Sequence, residues 1–265
     1  VRKHLSRIKG GQLAKLAAPA TVLSLILSDV IGDDLDVIGS GPTAPDSSTF
    51  ARAWSVIEKY GLTARIPDSV RRRLTDPAAV ETPKPGDPCF VRVINHLVGS
   101  NRLALAAAAE AARGLGLDPV VEDAPIIGEA RRAAAGFCAR AITIAAGSSR
   151  PRVLIAGGET TVTLGETPGR GGRAQEFALA GALALAGSAG IHLLAAGSDG
   201  SDGPTDAAGA VADGGSVIRA ARAGFPAREH LDRHDAYPLF AALGDLVMCG
   251  PTHTNVMDLH LALIR

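Results

Sequence analysis

The sequence predicts an α/β fold, with two α/β domains built on largely parallel sheets. Three observations carry this expectation. Short runs rich in Val, Ile and Leu alternate with alanine-rich stretches of helical period along most of the 265 residues. Loops rich in Gly, Asp and Pro follow several strand-like runs, at the place where open α/β sheets bind ligands. The segment TDPAAVETPKPGDP, residues 75–88, carries four prolines and little apolar content, which puts a domain boundary between 1–87 and 88–265.

The elements follow in order. VRKHLSRIKGGQLAKLA reads as a helix end, a Gly-Gly turn and a short second helix. TVLSLILSD, 21–29, is a β-branched and leucine run that suits a buried strand, and SDVIGDDLDVIGSGPT is the loop at its end. Residues 49–60 and 67–74 read as helices. Beyond the boundary, CFVRVINHLVG is strand-like, and SNRLALAAAAEAARGLG is a helix with a Ser or Asn N-cap and a glycine stop. DPVVED is a short strand, GEARRAAAGFCARAITIAAG a helix, and PRVLIAGGETTVTLG one or two strands. GGRAQEFALAGALALAG is a helix and IHLLAAGSDG a strand. GGSVIRAARAG and HDAYPLFAALG are helices, and LVMCG and DLHLALIR are strands.

Bulk properties exclude several classes. Hydrophobic residues at 46% and charged residues at 20% describe a globular chain. A net charge of zero gives no field for nucleic acid or an anionic membrane, and 3% aromatics leave little to stack bases on. The uncharged run 177–197 is interrupted by GSAG, so it reads as helix, turn and strand rather than a membrane span. No secretory signal is visible at the start. Cys89, Cys138 and Cys249 show no CxxC spacing, so each is expected as a small buried apolar residue in a reducing, cytoplasmic setting. GxSxG, GxxxxGK[ST] and a helix-opening GxGxxG are all missing.

Four loops share a composition suited to ligand binding. SDVIGDD holds Asp29, Asp33 and Asp34, and AGGETT holds Gly157, Gly158, Glu159 and Thr160. GSDGSDGPTD holds Asp199, Asp202 and Asp206, and GPTHTN holds Thr252, Thr254 and Asn255, with His253 within reach of a ligand there. Glycines let backbone amides approach an anion, and carboxylates among small residues suit magnesium. One such loop is an ordinary turn; four at four strand ends are more telling. A fifth piece, GETPGRGGRAQEFALA, sets Arg170 and Arg173 where a helix opens. Helix energetics favour acids there, so two arginines imply a phosphate or carboxylate ligand. His230 and His234 lack metal-ligand spacing and read as surface residues.

Taken in order, VRKHLSRIKGG, SDVIGDDLDVIGSGPTAPD, GSNRLALAAA, GGETTVTL, GRGGRAQEFALA, SDGSDGPTDAAGA and GPTHTNVMDL make the chain resemble the class II glycerate kinases. This is the glycerate 2-kinase family, whose C-terminal part is called the MOFRL domain, and the resemblance covers essentially the whole chain. It implies a Rossmann-like first domain, incomplete here over 1–87, and a MOFRL-type second domain over 88–265. It also implies transfer of the γ-phosphoryl of ATP to D-glycerate with magnesium, giving 2-phosphoglycerate. The resemblance makes Asp29, Arg170 and Arg173 catalytic, and makes Asp33, Gly157, Gly158, Glu159, Thr160 and Asn255 contacts to substrate or nucleotide. It gives the metal to Asp199, Asp202 and Asp206. The family's Gly-rich loop and phosphate-binding lysine precede the first motif, so an N-terminal segment is expected to be missing. His253 stands where relatives usually carry glycine. Some relatives bear the name hydroxypyruvate reductase, so an NAD(P)H-dependent reductase is one alternative and a truncated, ligand-binding fragment is another. The expected partners are glycerate and nucleotide, not nucleic acid or membrane, and a homodimer is left open.

Overall fold

A computed structural model describes residues 1–265 and resolves the chain into two units, Val1–Val98 and Gly99–Arg265. The division therefore falls after the proline-rich segment, not within it. The cause is a strand pairing. β1 (Val22–Leu27) pairs with β2 (Val93–Gly99) in a two-stranded sheet, which returns the chain beyond residue 87 to the first unit.

In the first unit, α1 (Arg2–Leu5) and α2 (Gln12–Ala17) flank the Gly10–Gly11 turn, as expected. The two glycine amides donate to the carbonyls of Ser40 and Gly41 at 2.8 and 2.7 Å. α3 (Phe50–Lys59) is capped by Thr49, whose hydroxyl accepts from the Arg52 amide. α3 and α4 (Asp68–Thr75) bury Phe50, Ala53, Ile57 and Leu74 against one another. Behind them Asp46 is fully buried and accepts from Lys3, Ser48 and Thr82 at 3.1, 2.7 and 2.8 Å. Burial works against its charge, but the Ser48, Thr82 and Lys3 hydrogen bonds prevail and hold the carboxyl down at about 2. The expectation of a buried β1 is corrected, because Leu23 and Leu25 are 62% and 65% exposed.

The second unit has α5 (Asn101–Gly114), β3 (Asp118–Val121), β4 (Ile126–Glu129), α6 (Ala130–Ala146), β5 (Arg152–Thr161), α7 (Arg173–Ala184), β6 (Ile191–Gly197) and β7 (Gly209–Asp213). α8 (Ser216–Arg222), α9 (Ala227–Asp232), α10 (Ala236–Leu243), β8 (Leu246–Val247) and β9 (Asp258–Ile264) follow. α5 opens on Ser100, which accepts from Leu103 as the sequence predicts. β4, β7 and α9 have no counterpart in the sequence reading. The strands form one seven-stranded sheet in the order β3–β5–β9–β6–β7–β8, with β4 pairing on β5 beyond β3.

The α/β class holds. Strand direction is largely common, since β3, β4, β5, β6 and β8 run one way and β7 and β9 run against them. The neighbours are another matter: β9 lies between β5 and β6, so most pairings are antiparallel.

α7 explains the apparent membrane span. Residues 174–182 are buried without a break, and from Phe177 onward they are apolar on every side, as befits a helix at the centre of a core. Phe137, Phe177 and Phe240 are the largest side chains of that core, and the His260 ring sits 4.1 Å from Phe177. Burial, helped by the charge of Arg173, pushes His260 down to about 3. No helix is long and apolar enough to cross a membrane. All three cysteines are free. Cys138 is buried, with its thiol pushed up to about 12 by burial, but Cys249 is exposed, against expectation.

Candidate active site

Arg173 is the first residue of α7, and its guanidinium is held by acids. Nε and Nη2 donate to Asp258 at 2.7 and 3.0 Å, a bidentate grip, and Nη1 lies 3.2 Å from Glu159. Asp258 is 1% exposed. Burial pushes its carboxyl above the ordinary range, and Arg173 opposes that shift. The same contacts raise Arg173, led by its hydrogen bond to Asp258. β9 runs against β5 and β6, so its first residue, Asp258, lies opposite Gly158 and Gly197, toward the carboxyl ends of those strands. The site thus sits where α/β sheets bind ligands, but one of its central residues comes from the start of a strand.

Asp258 escaped the sequence reading. A signal was present: β9 buries alternate residues, and two of these, Asp258 and His260, are polar.

Asp202 is fixed differently from the expectation. It is 5% exposed, and its two oxygens accept from the amides of Ala174 and Gln175 at 3.0 and 2.8 Å. It caps α7 from a distant loop, and burial pushes its carboxyl up to about 6. The amides that a bound anion would use at this helix start are therefore filled by Asp202. The loops meet closely enough that a Cβ on Gly203 would lie 2.5 Å from the carbonyl oxygen of Gly171.

The other two aspartates of the expected metal group are also engaged apart. Asp199 accepts from the Ser201 amide at 2.9 Å, a local turn. Asp206 is exposed and accepts from the Tyr237 hydroxyl at 2.7 Å, with Arg170 at 3.5 Å. Asp199, Asp202 and Asp206, expected to hold a metal together, are thus engaged with separate partners, and no group of three or more His, Cys, Asp or Glu is arranged to hold a metal ion.

Arg170 stacks on the Tyr237 ring at 3.8 Å, and its amide donates to Asp235 at 2.8 Å. Both arginines at the helix opening thus have carboxylate partners within the chain, and the physical mismatch seen in the sequence is met internally. Nearby, Glu176 is 3% exposed, pairs with Arg131 at 2.6 Å and lies 2.9 Å from His234 Nδ1. His234 and His230 are mostly buried, not surface residues as read.

Gly157 and Gly158 lie inside β5 rather than in a phosphate-cradling loop. A Cβ on Gly157 would collide with Asn101, whose side chain donates to the carbonyls of Val256 and Asp258. One on Gly158 would meet the backbone of Ile126 at 2.2 Å. Their bareness serves packing. Thr160 is buried with its hydroxyl unpartnered, and the side chain of Asn255 accepts from the Met257 amide at 3.0 Å. His253 has φ 60°, the left-handed region that a glycine would occupy more easily. In the first unit, Asp29 and Asp33 follow β1, Asp29 exposed and Asp33 half-buried with φ 57°.

Two α/β units, the second with a gripped arginine among loops at strand ends, define a loop-site α/β protein. Residues 152–258 match the model described as the MOFRL family, and residues 1–75 match a domain of unknown function, DUF4147. All of the chain aligns, at 46% identity, with 60% of a protein of Agrobacterium vitis that bears the name "Putative hydroxypyruvate reductase". It aligns at 36% identity with 78% of a glycerate kinase of Macaca fascicularis. It superposes in full on 62% of a crystal structure of glycerate kinase from Thermotoga maritima, at 40% identity and a TM-score of 0.88. The chain belongs to the glycerate 2-kinase family, with the MOFRL part in its second unit. It spans about three fifths of the length of the Agrobacterium and Thermotoga proteins.

Proposed function

We propose that the chain contributes the arginine-bearing part of a kinase that transfers the γ-phosphoryl of ATP to D-glycerate. The observation that carries this reading is Arg173, gripped on one edge by buried Asp258 while its side chain remains 36% exposed. A pre-oriented guanidinium suits phosphoryl transfer, where positioning and charge neutralisation supply most of the catalysis. The C2 hydroxyl oxygen of glycerate attacks the γ-phosphorus, the bond to the bridging oxygen breaks, and ADP departs. The hydroxyl proton passes to a carboxylate. Arg173 binds the substrate carboxylate or the moving phosphoryl group, and Arg170, held by Tyr237, is the second cation. Thr160 and Asn255 are candidate polar contacts. Magnesium enters this reading as the counter-ion of the nucleotide phosphates. Free cysteines accord with a reducing cytoplasm.

Phosphorus NMR of the full-length gene product with D-glycerate, ATP and magnesium tests the reading. A 2-phosphoglycerate signal that falls at least a hundredfold in rate with Arg173→Ala is the expected outcome. No phosphorylated product from the folded full-length gene product would remove it. The name of the Agrobacterium relative favours a second reading, an NAD(P)H-dependent hydroxypyruvate reductase; oxidation of NADH by hydroxypyruvate in the presence of the chain would establish that instead.

A further inference from the structure

The two acids on Arg173 are unequal partners. Asp258 is buried in the sheet and takes Nε and Nη2 together, which fixes the plane of the guanidinium. Glu159, near the end of β5, touches Nη1 alone at 3.2 Å, and its side chain is 45% exposed. Its carboxylate is given no hydrogen bond by any other group, whereas Asp258 cannot leave without abandoning a buried charge. The donors that Asp258 leaves free on Arg173 lie on Nη1 and the second Nη2 hydrogen, and Glu159 stands at Nη1.

We propose that Glu159 is a displaceable internal anion, a carboxylate that occupies the substrate's place on Arg173 until a stronger anion removes it. This rests on the reading of Arg173 as an anion-binding group. Glu159 then acts as a specificity-determining residue. A ligand that offers one weakly held carboxylate gains little over the side chain it replaces. A phosphoryl group, or a carboxylate with a neighbouring hydroxyl, makes more bonds and displaces it. The magnitude is bounded. An exposed ion pair is a weak one, so Glu159 biases the site by a factor of about two to five. The apparent affinity for an anion is reduced by the same fraction, because only the open form binds. Asp258 remains in place throughout and keeps the guanidinium aimed.

Titration calorimetry with inorganic phosphate, at fixed ionic strength, tests this on the full chain and two variants. Glu159→Gln keeps the length of the side chain and removes its charge. It should tighten phosphate binding about two- to fivefold, and Arg173→Ala should abolish it. The Arg173 Nε–H resonance in Glu159→Gln should keep its shift, because Asp258 still holds that edge. If Arg173→Ala abolishes binding but Glu159→Gln leaves it unchanged or weaker, the internal anion is overturned while the arginine site stands. If phosphate fails to bind, or binds Arg173→Ala as well as the parent chain, the arginine site itself falls, and the inference with it.

Discussion

Asp202 shows how much one side chain can determine. It closes the start of α7 by accepting from two buried amides, so Asp202→Ala leaves both without a partner. The expected loss is about 1–3 kcal/mol in urea unfolding. Its titration has a definite sign. Its folded carboxyl sits near 6, above an ordinary carboxyl near 4, so the native state binds the extra proton between those values. Its contribution to stability is present below about pH 4 and is lost as pH rises through 6. Asp46 acts in the opposite sense: held near 2, it stabilises the fold above about pH 4, and that contribution disappears as pH falls toward 2. Urea midpoints measured from pH 2 to 7 should show both slopes, with Asp202→Asn flattening one and Asp46→Asn the other. From the sequence, Arg173 and Asp202 could be singled out, but not their partners. Which acid caps a helix from across a loop, and which one grips an arginine, depends on packing between residues far apart in the chain.

At the level of elements, α7 and β6 are fitted together through a glycine. A Cβ at Gly181 would lie 2.1 Å from Cδ2 of buried Leu193 and 3.3 Å from the Cys138 sulfur. Gly181→Ala gains about 1 kcal/mol of helix propensity. Overpacking costs about 1–3 kcal/mol, so a net loss of up to about 2 kcal/mol is expected in denaturant unfolding. The long helices were legible because their caps and periods are local, as Ser100 and the alanine-rich run of α5 illustrate. β4 and β7 were not. β4 is only four residues long, and β7 is the alanine- and glycine-rich GAVAD, so neither has a periodic signal of its own. AGGETT looked like a loop because its glycines are read as turn formers; in the fold they are the places where Asn101 and β4 come close.

For the whole molecule, the two units differ in how well they are supplied with core. The second unit holds a continuous core from Ile126 to Ile264 around three phenylalanines. The first has a smaller cluster of four buried apolar residues in α3 and α4 and a sheet of two strands. A sheet that small is marginal without cover. Expressed separately, residues 99–265 should unfold cooperatively and retain near-ultraviolet dichroism, and residues 1–98 should not; a folded 1–98 would show that its polar cluster around Asp46 suffices. The α/β class was legible from alternation alone. The order of the strands was not, because hydropathy is silent on which strand inserts between two others.

That insertion also sets a timetable. On a ribosome, β5, β6 and β7 emerge well before β9, the strand that joins β5 to β6. Until it arrives, the sheet is split down its middle, with two facing rows of open amides and carbonyls. Such edges invite pairing with other nascent chains. Slow refolding, and a need for chaperones during synthesis more than afterwards, are the consequences of placing a late strand at the centre.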